Sequence, residues 1–242
     1  MINDNIDNLL KLGLTNMADN YKTLSNDKAF NELNFDEQLA LLLQPQVDAK
    51  NQEKIKGLIR RSRIKQPNAS LNDIHYYEDR ELDKKTIATL ATGQYIEDGT
   101  NVCVFGATGA GKTFIVSALG IDACNRLYRV RYIRLPDLLY DIEKAKNRDK
   151  YMQRIKFYIN FDLLIIDDWL LVKATPQQQE YLFEIMEGRN ELHSTIFASQ
   201  TRTSVWHDYL GGGTIADAIL DRITSSSYTI YIKGNRSMRA RK

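Results

Sequence analysis

The eight residues GATGAGKT, from Gly106 to Thr113, follow a short apolar run and precede a helical one, and no other stretch restricts the possible fold as much. Gly106, Gly111, Lys112 and Thr113 meet the spacing G-x-x-x-x-G-K-T, and Gly109 adds a further flexible point. Such glycines let the backbone N–H groups across Ala107, Thr108, Gly109 and Ala110 turn inward on phosphate oxygens, while the N-terminus of the following helix adds positive potential. In this pattern Lys112 reaches the β and γ phosphates of a nucleotide and Thr113 holds Mg²⁺. The cradle alone leaves a kinase, a motor, a switch and a scaffold all open.

The flanking sequence supplies the architecture. From about residue 83, apolar strands alternate with helical patterns: NVCVF (101–105), VRYIRL, FDLLIIDD, STIFASQ (194–200) and YTIYIK (228–233). Strands separated by helices imply right-handed crossovers and a parallel sheet covered on both faces, an α/β fold. Residues 1–66 are instead helical throughout, with Ile6, Leu9, Leu10, Met17 and Tyr21 near helical spacing, and again Leu39, Leu42, Val47, Ile55 and Ile59 after a start at NFDEQ. Pro67, Asn68 and Ser70 mark a linker over 67–82, in which Ser70 and Asp73 resemble a capping box, and the nucleotide-binding domain is expected over 83–242.

Apolar residues at 43% and charged residues at 26% are ordinary for a folded chain of this length, so wholesale disorder is excluded. No apolar run approaches the roughly 18 residues of a membrane span, and acids stand in MINDNIDNLL where a signal peptide carries basic residues; the expectation is a cytoplasmic protein without a membrane partner. Cys103 and Cys124 lack paired spacing and nearby histidines, which makes them buried thiols.

FDLLIIDDW provides the second half of a nucleotide site. A buried strand ending in two acids puts Asp167 at its C-terminal edge, where the carboxylate holds Mg²⁺ directly or through water, and lets Asp168 face the γ phosphate and polarise the attacking water. VRYIRL falls between this element and the cradle, which argues for P-loop proteins with an extra strand between their phosphate and metal strands; simple nucleotide kinases usually lack it.

FGATGAGKT, VRYIRLPDLL, FDLLIIDDW, SQTRTSVWHDYLG, TIADAILDRI and KGNRSMR together resemble the IstB-type helpers of transposition, relatives of the DnaC helicase loaders within the AAA+ ATPases. The N-terminal LNFDEQLALLLQPQVDAKNQEKIKGLIRRSRI and LDKKTIATLATGQYI are similar as well, so the resemblance covers nearly the whole chain. It implies a P-loop AAA+ sheet behind a small helical domain, and an ATP-dependent, oligomeric protein that binds double-stranded DNA and assists a transposase. Carried onto this sequence, Gln200 is the sensor-one residue, against the alternative of a strand-end amide satisfying a loop. Arg222 is an arginine finger for a neighbouring subunit's ATP. It has Ala218 at i−4 and Ser226 at i+4, hence no local acidic partner, and it borders a stripe of Ile215, Ile219 and Ile223. Arg239 matches the second sensor, against the alternative of a basic tail.

Three departures bear on turnover. Asp168 stands where many AAA+ proteins carry Glu, one methylene short, and a displacement near 1 Å costs roughly a hundredfold in rate. Leu170 replaces a common Gly after the metal strand, and Gln200 is less usual than Asn. Slow hydrolysis, stimulated by DNA or a partner, is therefore expected.

Net charge is only +2, but its distribution is uneven. Over 50–65, seven basic residues face Glu53 alone, and over 144–156 six face Asp149. Lys146, Arg148 and Arg154 lie in a helix–break–helix insertion matching in position the element that loaders and initiators turn toward DNA; its alternative is a solvated face balanced by Asp141, Glu143 and Asp149. Lys56, Arg60 and Arg63 fall near one helical face, a second DNA surface or a docking surface for another protein. The expected function is an AAA+ regulator of transposition that oligomerises on duplex target DNA, bends it and recruits a transposase. The alternatives are a replicative helicase loader and a DNA-architectural scaffold that binds ATP without hydrolysing it.

Overall fold

The helical periodicity of the first sixty residues resolves into α1 (Ile2–Lys11), α2 (Thr15–Leu24), α3 (Lys28–Asn31) and α4 (Phe35–Ser62). The start of α4 is set by a reciprocal cap, in which the Glu37 N–H donates to Asn34 Oδ1 and the Asn34 N–H donates to Glu37 Oε2, both at 3.0 Å. The computed structural model describes residues 2–234 and 237–240. It divides into two compact units, Met1–Gly57 and Leu58–Lys242. In the first, only Ala18 and Phe30 are buried among the described apolar residues.

The second unit contains α5 (Lys84–Leu90), α6 (Gln94–Glu97), β1 (Asn101–Gly106), α7 (Lys112–Asn125), β2 (Val130–Arg134), α8 (Leu135–Lys146), α9 (Tyr151–Ile159), β3 (Leu163–Asp167), α10 (Pro176–Arg189), β4 (Ser194–Ser199), α11 (Trp206–Leu210), α12 (Gly213–Thr224) and β5 (Ser227–Ile232). The five strands form one parallel sheet in the order β2-β3-β4-β1-β5. Because side chains alternate across a strand, the apolar runs of β1, β3 and β4 feed two cores. Val102, Val104, Leu163, Ile165, Ile196 and Ala198 pack on the α7 face. Cys103, Phe105, Leu164, Ile166 and Phe197 pack on the other, with α8 to α12. Both cysteines are buried, and burial pushes their thiols up to about 12.

Three sequence expectations change. The strand lying between the phosphate strand β1 and the acid-bearing β3 is β4, whereas VRYIRL is the edge strand β2. Strand order in space is decided by the crossovers, and the crossover through α7 skips two positions. The stretch 67–82 is packed rather than a free linker: Ala69, Ile74 and Leu82 are buried, and Ile74 and Leu82 join Leu58 and Ile64 in the α7-side core. Within it, Ser70 caps a short 3-10 turn at Leu71–Asp73 by accepting from the Asn72 N–H. On α12, Ile215 is exposed, and Ala216 takes its place in the buried stripe with Ile219 and Ile223. Among the described residues no helix is long and apolar enough to cross a membrane.

Candidate nucleotide site

The phosphate loop joins β1 to α7, so its backbone is anchored by a buried strand at one end and a buried helix at the other. Gly109 and Gly111 adopt φ of 81° and 98°, a left-handed conformation that a side chain would strain. Space also enforces glycine here: a Cβ at Gly111 would stand 3.0 Å from Arg80 Nη2, and one at Gly106 would stand 2.9 Å from the Ile232 carbonyl.

Lys112 is folded back over the loop it belongs to. Its Nζ donates to the Gly106 and Ala107 carbonyls at 2.6 and 3.0 Å. Burial lowers its pKa, and the charges of Asp167 and Asp168 oppose that shift. A buried cation that bonds two carbonyls of its own loop has the chemistry to receive phosphate oxygens.

Next to Lys112, the Thr113 hydroxyl donates to Asp167 Oδ2 at 2.9 Å, across 54 residues of sequence. One hydroxyl and one carboxylate, both oxygen donors beside a phosphate cradle, fit Mg²⁺. Asp167 is itself over-determined: the Tyr132 hydroxyl donates to the same Oδ2 at 2.6 Å, and the Asp168 N–H donates to Oδ1 at 2.9 Å.

Asp168 is held by an arginine of the neighbouring strand. It leaves β3 with φ 54°, and its Oδ2 accepts from Arg134 Nε at 2.7 Å. The turn is pinned by Trp169, fully buried, whose N–H donates to the Ala198 carbonyl at 2.9 Å. Leu170 is also fully buried and takes φ 49°, an unfavourable conformation for a branched side chain. Gln200, one residue beyond β4, accepts from the Thr108 hydroxyl at 2.8 Å through Oε1 and so ties the strand end to the loop.

A cleft of about 360 Å³ adjoins the loop, walled by Gln66, Asp73, His75, Arg80, Phe114 and Met238. Its volume suits the base and sugar of a nucleotide. Arg80 braces the loop from beneath, donating to the His75 carbonyl and, at 3.0 Å, to the Ala110 carbonyl. Sequence reasoning missed Arg80, Tyr132 and Arg134. A single Arg in a mixed-charge run gives no signal, but Tyr132 and Arg134 share one face of the strand before the insertion, a pattern that could have been asked about.

Arg222 lies on α12 outside this constellation. The absence of an acidic partner within its own helix does not leave it unpaired, because Glu187 on α10 accepts from its Nε, the Ala218 carbonyl one turn back accepts from Nη1 at 2.8 Å, and its guanidinium sits 5.2 Å above the Phe183 ring. A partner 35 residues away is invisible to helical spacing. The Arg239 side chain lies outside the described residues.

The basic insertion is sorted by its contacts. Lys146 Nζ is taken up by the rings of Tyr151 and Tyr181, at 5.9 and 5.5 Å from their centroids. Arg154 pairs with Asp141 at 3.4 Å and covers Phe157. Lys144, Arg148 and Lys150 make no ion pair among the described residues and line a cleft of about 380 Å³ between α8 and α9. Lys56, in the first unit, and Arg60, in the second, are exposed on α4. Arg63 follows the end of that helix with φ 58°, so it leaves the helical register expected for it.

The family model described as IstB-like ATP binding protein matches residues 7–242. A protein of Sinorhizobium fredii named for an insertion sequence and for ATP binding is 34% identical over 233 residues, covering 96% of this chain and 94% of its own length. A protein of Pseudomonas aeruginosa named for the insertion sequence IS21 and for ATP binding is 26% identical, covering 93% and 85%. Among solved structures, the DnaC helicase loader superimposes on 69% of this chain and 97% of its own, with a TM-score of 0.56 at 21% identity. AMPPCP-bound DnaA from Aquifex aeolicus superimposes on 72% of this chain and 52% of its own, with the same TM-score and identity. At that identity the likeness is one of fold, the AAA+ P-loop sheet with flanking helices.

Proposed function

The chain belongs to the family of IstB-like ATP-binding proteins, and from that premise we propose that it is an ATP-dependent regulator of transposition that assembles on duplex target DNA, bends it and recruits or stimulates a transposase. ATP binds with its phosphates in the Gly106–Thr113 loop, Lys112 turning from its own carbonyls to the β and γ phosphates. Thr113 and Asp167 would hold Mg²⁺, which offsets phosphate charge when bound. Asp168 accepts a proton from the attacking water through its carboxylate once Arg134 releases it, and Gln200 orients that water from the end of β4. Arg222 leaves Glu187 to reach the nucleotide of a neighbouring subunit, and Arg239 contributes from the C-terminal side.

One observation carries this reading: the cation-bearing insertion begins directly after Arg134, the residue that holds Asp168. A pull on α8 by DNA phosphates at Lys144, Arg148 and Lys150 therefore acts on the residue that restrains the hydrolytic acid. The exposed Lys56 and Arg60 add phosphate contacts of their own. The short Asp168 side chain keeps turnover slow, so that ATP serves chiefly to join subunits on DNA.

Affinity for duplex and single-stranded DNA of equal length, measured at matched salt with ATP present, tests it. A duplex preference is expected. A single-strand preference would transfer the chain to helicase loading.

A further inference from the structure

We propose that Tyr132 is a positioning residue that sets the Asp167 carboxylate for metal binding; the inference rests on the reading of Thr113 and Asp167 as the Mg²⁺ pair. Tyr132 sits on β2 opposite Ile165, and strand alternation puts its side chain on the face that carries α7. Asp167, two residues beyond Ile165, falls on that same face, which brings the phenol diagonally onto the carboxylate at 2.6 Å.

Tyr132 differs from Tyr95 and Tyr181, which are buried as deeply but whose hydroxyls make no hydrogen bond to the described residues. Asp167 is 2% exposed, and its two oxygens accept from Thr113, Tyr132 and the Asp168 N–H. Of these donors, Thr113 must turn its oxygen toward a cation, whereas Tyr132 is anchored in the α7-side core. Outer donors of this kind fix the rotation of a ligating carboxylate, and their loss typically costs about 10- to 100-fold in metal affinity.

The test is a Mg²⁺ titration of fluorescent ATP binding by the full chain, alongside ATP affinity in EDTA. For Tyr132→Phe, which deletes only the hydroxyl, the Mg²⁺ half-saturation should rise about tenfold while affinity for metal-free ATP stays within about twofold of wild type. A second variant, Tyr132→Met, keeps an apolar side chain without a donor and should behave alike. An unchanged half-saturation in a variant that binds metal-free ATP overturns the inference. So does loss of metal-free ATP binding in both variants, since the hydroxyl would then be a structural requirement. Failure of the wild-type chain to respond to Mg²⁺ would instead overturn the underlying assignment of Thr113 and Asp167.

Discussion

Replacing Arg134 by alanine removes the only side-chain hydrogen bond and ion pair of the Asp168 carboxylate among the described residues. The pair is short, 2.7 Å, but lies at the surface, with side chains 44% and 28% exposed. Water and salt screen such pairs to about 0.2–1 kcal/mol. If the pair competes with a conformer in which Asp168 meets the attacking water, its loss raises that conformer's population by at most about fivefold. Phosphate release at saturating Mg²⁺ and ATP, without DNA, should therefore rise about 1.4- to fivefold for Arg134→Ala. ATP affinity should not change, because Arg134 does not touch the loop. Arg134→Lys should fall between the two, since lysine keeps the charge but not the directional Nε–H. Adding Asp168→Ala should abolish the gain. A DNA-free rate that is unchanged or lower in Arg134→Ala would refute the reasoning, because it would mean that the restraint on Asp168 does not limit turnover.

Lys112→Ala should weaken ATP binding by about 1.5–3 kcal/mol, roughly 10- to 150-fold, by removing a charged phosphate donor, as read by titration calorimetry. Lys144→Ala, Arg148→Ala and Lys150→Ala should each reduce the slope of log affinity for DNA against log salt by about 0.9, whereas Lys146→Ala, whose cation is held by two rings, should leave it unchanged. Arg189→Met should destabilise the chain by about 3 kcal/mol or more in urea unfolding. The fully buried guanidinium donates to the carbonyls of Tyr158, Ile159, Phe161 and Ser194 and to the Thr195 hydroxyl, five acceptors that would each lose a donor, three of them in fully buried bonds.

The sequence exposed what local chemistry determines. Central strands buried on both faces read as continuous apolar runs and the edge strands β2 and β5 as alternating ones, so β1 to β5 and the phosphate loop could be found to within a residue or two, and Asp167 and Asp168 followed from the end of β3. What stayed hidden depends on contacts between distant segments. The wedge position of β4 is a property of crossovers, not of the strand's composition. Pro67 and Asn68 punctuate the chain as a linker does, yet Ile74 and Leu82 behind them enter the core. Arg134 and Asp168 are 34 residues apart, and Arg222 and Glu187 are 35, so neither pair leaves a mark at helical or strand spacing. Arg63 was misassigned to a helical face because nothing in its local composition announces the φ of 58° that ends the helix before it.

The central claim, that ATP joins subunits on DNA through Arg222, is tested most directly by sedimentation of the chain with Mg²⁺, ATP and a long duplex. Wild type should form multi-subunit particles only when both ATP and DNA are present, and Arg222→Ala should sediment as isolated protomers or protomers scattered on DNA. Particles of the same size for wild type and Arg222→Ala, or a wild type that stays monomeric with ATP and DNA, would contradict it.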